Sequence, residues 1–119
     1  MYYKYGVVRT NSFVPKLFSI FISARAITLW PFIFIRDDGD ERLLTHERIH
    51  IAQQAELFVI FFYIMYVLFW FRNIIKYFKE EDCLKKAYFH IPFEKESYIN
   101  DKNMVYLLNR KAYSWVKYI

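Results

Sequence analysis

Residues 46 to 50 read His46-Glu47-Arg48-Ile49-His50, the H-E-x-x-H spacing. On a helix, side chains four residues apart lie one above the other on one face. His46 and His50 can therefore both reach one tetrahedral zinc ion at about 2.0 to 2.1 Å. Glu47 projects beside them, off the metal, where it can take a proton from an activated water and later pass it to a leaving amine. The chemistry implied is metal-assisted hydrolysis. The bland explanation is a helix with two unconnected histidines; against it, two of the three histidines in the chain fall in this one turn.

A hydrolytic zinc takes three protein ligands and keeps a fourth position for water, so HERIH needs one more. Positions 53 and 56 are Gln53 and Glu56, which excludes the H-E-x-x-H-x-x-G-x-x-H arrangement. A glutamate from a later helix is the other common solution. Glu94 is the first candidate, because it follows Pro92 at a helix start and opens Glu94-Lys95-Glu96-Ser97; Glu96 is the second. Gln54, Glu56, Asn100 and Asp101 are candidates to hold the outer ring nitrogens of the histidines. Tyr98, His90 and Arg110 are candidates to stabilise a developing oxyanion. The first four have an equally simple explanation as solvated polar groups on helix surfaces; for the last three the simpler explanations are preferred, a loop residue for His90, packing for Tyr98 and a salt-bridge or lipid-facing charge for Arg110.

HERIH followed by a helix bearing Glu94-Lys95-Glu96-Ser97 resembles the gluzincin class of zinc metallopeptidases, and the size is similar to minimal single-domain members. The resemblance implies Zn2+ as cofactor, His46, His50 and Glu94 as its ligands, and Glu47 as general base. It also implies an edge strand that aligns a peptide or protein substrate, and residues 27 to 35 stand where that strand belongs. One departure is Tyr98, where the class often carries an Asp that holds a zinc-binding histidine. The chain also resembles small bacterial membrane-associated proteins with the same HExxH and F-E-x-E arrangement.

The elements that must position these residues can be read in outline. Residues 1 to 36 are rich in β-branched and aromatic side chains, including Val7, Val8, a group from Phe18 to Ile22 and a group from Ile27 to Ile35, and predict strands. Pro31 cannot donate to a ladder, so it predicts an edge strand or a bulge at that point. Asp38 and Glu41 have the form of a capping box, predicting one long helix from about residue 40 through HERIH to about Arg72. Its first half is amphipathic, while the uncharged run from Leu57 to Phe71 is apolar on every side. That run suits a short membrane-embedded helix, with Trp70, Arg72 and Lys76 at the interface, and equally a buried central helix or a dimer interface. A second helix follows Pro92, and an amphipathic terminal helix is predicted from about Met104 to Tyr118.

The chain has 119 residues, enough for a single domain with one modest core. It is 56% apolar and 23% aromatic, more ring surface than such a core absorbs, so an interface, a membrane surface or a homo-oligomer is expected. The net charge is +5, but the cations are dispersed and form no nucleic-acid motif, so anionic lipid is preferred to nucleic acid as the partner. A lone Cys83 excludes an intramolecular disulfide framework. The expectation is an α+β, zincin-like domain hydrolysing a peptide bond at a membrane or, failing that, in the cytoplasm. The alternatives are a membrane-associated or oligomerising protein with a structural zinc or none, and a basic, aromatic module binding lipid or a partner helix.

Overall fold

The computed structural model describes residues 6–15 and 25–119. Among them, three strands precede five α-helices and a closing 3-10 helix, the α+β architecture expected. The strands are β1 (Val7–Arg9), β2 (Ala26–Leu29) and β3 (Phe32–Ile35), in the order β1-β3-β2. β1 runs parallel to β3 and β2 antiparallel. The expected strand from Phe18 to Ile22 lies outside the described residues.

Residues 27 to 35 do not make one strand. Leu29 pairs with Phe32, so Trp30 and Pro31 form a two-residue hairpin turn and the chain doubles back. The missing N–H of Pro31 is harmless in a turn, and its carbonyl accepts from Val7 at 2.7 Å to start β1. Along β3 the two-residue period turns Ile33 and Ile35 fully inward. They pack with Ile51, Val8, Leu43 and Leu44 to join the sheet to the first helix. At Gly6, with φ at +76°, a Cβ would stand 3.0 Å from Ile51 and 3.2 Å from Ile33, so the residue must be small for β1 to enter here.

The first helix, α1 (Glu41–Glu56), is capped by Asp40, whose carboxylate accepts the Leu43 N–H at 2.8 Å. Asp38, the expected cap, instead accepts from Asn11 at 2.9 Å. The long helix foreseen through Arg72 is also broken. α1 ends at Glu56 and α2 (Ile60–Tyr77) begins after a tight reversal at Phe58 and Val59, with φ at +55° and +65°. The Ile60 N–H returns to the Phe58 carbonyl at 2.7 Å, a γ-turn centred on Val59, and the Val59 N–H closes α1 on the Gln54 carbonyl at 2.7 Å. This reversal lets α2 fold back beside α1 rather than continue it.

α3 (Cys83–Phe89) follows the acidic turn at 80 to 82, and α4 (Pro92–Asn100) begins with Pro92 in its first turn as expected. Phe93 and Ile91 pack with Phe62 of α2 and with Trp115, a second core beside the sheet core. The terminal segment is not one amphipathic helix. It comprises α5 (Tyr106–Asn109) and the 3-10 helix Ser114–Tyr118. Between them Arg110 is extended, which lets its guanidinium reach Glu56 and Glu96; this buried ion-pair set fixes the segment to α1 and α4.

Candidate metal centre

One turn of α1 and the start of α4 meet at a single point. His46 Nε2 and His50 Nε2 each lie 3.1 Å from Oε1 of Glu94. Ligand atoms held tetrahedrally at about 2.0 to 2.1 Å from a common ion are about 3.3 Å apart, so both nitrogen–oxygen distances suit a shared metal ion, and the three ligand atoms all lie within 4.8 Å of one another. All three side chains are buried.

The protons on the rings support the same reading. Gln53, on the next turn of α1, donates from Nε2 to the Phe93 carbonyl at 3.0 Å and to Glu96 at 2.9 Å. Its Oε1 is therefore the acceptor that faces His50 Nδ1 at 2.7 Å, and that nitrogen must carry the hydrogen. Asp101 plays the same part for His46: one oxygen faces Nδ1 at 3.2 Å while the other accepts from Arg42 at 2.9 Å. With both Nδ1 atoms protonated, the neutral rings aim Nε2 lone pairs at a carboxylate oxygen. Three lone pairs converging in a buried space call for a cation between them.

In the metal-free chain a proton answers that need. Burial pushes the His50 imidazolium down, but the Glu94 carboxylate against it more than reverses this and raises it to about 9. Burial likewise works to raise Glu94, and the charge and N–H groups of the two histidines outweigh it, holding its carboxyl well below the usual range. The other Glu94 oxygen accepts from Tyr66 of α2 at 2.6 Å.

The centre opens into a cavity of about 980 Å³ walled by β2, α1, α2, α3 and α4. Glu47 lines it with its carboxylate held by the Thr28 hydroxyl of β2. Tyr98 lines it too, its ring edge-on to His46 with centroids 4.4 Å apart and its hydroxyl 3.3 Å from that of Tyr88. Burial pushes the Tyr98 phenol up to about 12, so it remains a hydrogen-bond donor.

The remaining residues singled out from sequence divide clearly. Glu96 is fully buried but turned away, bonded to Arg110, Tyr106 and Gln53. Arg110 is committed to Glu56 and Glu96 and does not line the cavity. His90 donates from Nδ1 to the Lys86 carbonyl at 2.8 Å and lines a different cavity. Gln54 bridges to β2, accepting the Trp30 N–H at 2.8 Å and donating to the Thr28 carbonyl at 2.9 Å. Asn100 donates to the Glu96 carbonyl at 2.8 Å. Asp101 alone of the four outer candidates touches a histidine ring nitrogen. Gln53, Thr28 and Tyr66 were not foreseen; only Gln53, three residues after His50, had a spacing that pointed to the site. Neither a family model, nor a curated protein, nor a solved structure matches this chain.

Proposed function

We propose that the chain is a zinc-dependent hydrolase of peptide bonds, of gluzincin type, with His46, His50 and Glu94 as ligands and Glu47 as general base. The observation that carries this reading is the convergence of two Nε2 atoms and one carboxylate oxygen at 3.1 Å, with Glu47 beside them in an open cavity. A bound zinc supplies Lewis acidity, polarising a carbonyl and lowering the pKa of water.

The chain's own residues supply the rest. Thr28 holds the Glu47 carboxylate at the cavity wall, where it receives the proton of the attacking water and returns it to the leaving nitrogen. Tyr63, Tyr66, Tyr88 and Tyr98 line the cavity, and Tyr66 orients Glu94. β2 is an edge of the sheet among the described residues, and Ala26 to Leu29 line the cavity. Gln54 and Tyr63 already occupy the Thr28 carbonyl, so an extended substrate pairs nearer Ala26, which faces the same way by the two-residue period.

A structural zinc needs a fourth protein ligand, and the two candidates for it, His90 and Glu96, are engaged elsewhere. That favours the catalytic reading over the structural one. The test is Glu47→Gln assayed on a mixed peptide library after zinc loading. Activity should fall at least about a hundredfold with zinc content unchanged. Equal activity in the variant, or no cleavage by the loaded wild type, would overturn the reading.

A further inference from the structure

The outer face of α2 is an apolar stripe. Phe61, Ile64, Leu68, Phe71 and Ile75 succeed one another at steps of three and four, and Phe61, Leu68 and Ile75 are 57%, 62% and 71% exposed. The opposite face of the helix is occupied: Phe62 packs in the core, Tyr63 and Tyr66 line the metal cavity, and Asn73 donates to the Ala87 carbonyl of α3 at 3.0 Å. The stripe is therefore a surface the fold leaves uncovered among the described residues, on a helix about 27 Å long.

Its charge is one-sided. α2 contains no Asp or Glu, while Arg72 and Lys76 flank the stripe. Together with His90 and Lys95 they line a second cavity, of about 380 Å³. Among the described residues no carboxylate pairs with Arg72, Lys76 or Lys95. Arg72 reaches only Asn73 at 3.3 Å and the face of Phe69 at 4.9 Å. A pocket of unpaired cations beside an apolar stripe matches a phosphate head group above acyl chains.

We propose that α2 lies in the plane of an anionic phospholipid surface, with the stripe in the acyl boundary and lipid phosphates received by Arg72, Lys76 and Lys95. By length and composition α2 could also cross a membrane. A crossing would carry α3, with its exposed Lys85, and the polar wall of the metal cavity to hydrocarbon depth, which those charges oppose. A second copy packed parallel on the stripe would set Arg72 and Lys76 near their own equivalents, and in either direction α2 offers these cations no acidic partner. The in-plane lipid surface satisfies both the apolar and the cationic half, and the proposal stands whether or not the metal centre is catalytic.

The experiment is co-sedimentation of the full chain with phosphatidylcholine vesicles, neutral or containing about one third phosphatidylglycerol. The wild type should bind the anionic vesicles more tightly and release as salt rises. Arg72→Gln with Lys76→Gln should weaken anionic binding about 25-fold, at about fivefold per cation. Leu68→Ser with Phe71→Ser should weaken binding to both vesicles. Both pairs are exposed, and unchanged melting and metal content would show the fold intact. Equal binding to the two vesicles, or no loss in either variant, would overturn the proposal. So would failure to bind vesicles by a chain that is a stable lipid-free dimer broken by the serine pair.

Discussion

Gln53 takes the Nδ1 hydrogen of His50 at 2.7 Å through an oxygen whose orientation is set by Glu96, 2.9 Å from the amide nitrogen of the same side chain. The tautomer of one proposed ligand thus depends on a buried carboxylate that is itself held by Arg110 and Tyr106. Replacing Gln53 with Leu removes the acceptor without emptying the space. Zinc affinity should fall about 10- to 100-fold, as for other partners behind metal-binding histidines. Competition against a calibrated chelator reads this directly, and an affinity equal to wild type would show that Gln53 only packs.

Glu94 and Glu96 stand two residues apart on α4 and should respond in opposite ways. Glu94→Gln removes a ligand atom and the carboxylate that raises His50, so zinc is lost and the metal-free chain also loses the stability that His50 contributes below about pH 9. Glu96→Gln leaves the ligands intact but takes from the buried Arg110, whose side chain is 4% exposed, one of the two carboxylates that hold it, Glu56 remaining. That should cost about 1.5 to 3 kcal/mol in unfolding free energy, with zinc retained at saturating metal. Metal content and melting curves of the two variants separate the roles.

His50 gives the metal-free protein a defined pH response. Its pKa is raised from 6.5 to about 9 in the folded chain, so its contribution to stability is fully present below about 6.5 and is lost as pH rises through about 9. Over the same window zinc competes with fewer protons and its affinity should rise. Denaturation of the metal-free chain at pH 6 and pH 9.5 should show the decline, and His50→Gln should flatten it. A metal-free wild type more stable at the higher pH would contradict this assignment.

The reversal between α1 and α2 places Phe58 in the left-handed region with its side chain 79% exposed. An L-residue there is strained by about 1 to 2 kcal/mol, and asparagine tolerates the conformation better. Phe58→Asn should therefore stabilise the lipid-free protein by about 0.5 to 1 kcal/mol, measured by chemical denaturation. A loss of stability would mean that the ring contributes packing in solution.

What could be read from sequence was local. The turn holding His46, Glu47 and His50 and the Glu94 helix opened by Pro92 both follow from spacing of a few residues, and the fold brings them together. The break after Glu56 was hidden because Leu57 to Val59 contains neither Gly nor Pro; it is imposed by packing of Phe62 against Phe93 and Trp115 from much later in the chain. The hairpin at Trp30 and Pro31 was masked by apolar residues on both sides of the turn. The salt bridge weighed for Arg110 is the role it has, but its partners could not be named, because Glu56 and Glu96 lie 54 and 14 residues away. The amide of Gln53 could not be oriented without Glu96, 43 residues on.

The most direct measurement is zinc stoichiometry by elemental analysis on the purified, zinc-equilibrated chain, with His46→Ala, Glu94→Ala and Glu96→Gln alongside. Near one zinc per wild-type chain, lost in the first two variants and kept in the third, is the predicted result. Zinc absent from the folded wild type, or unaffected by Glu94→Ala, would contradict the account.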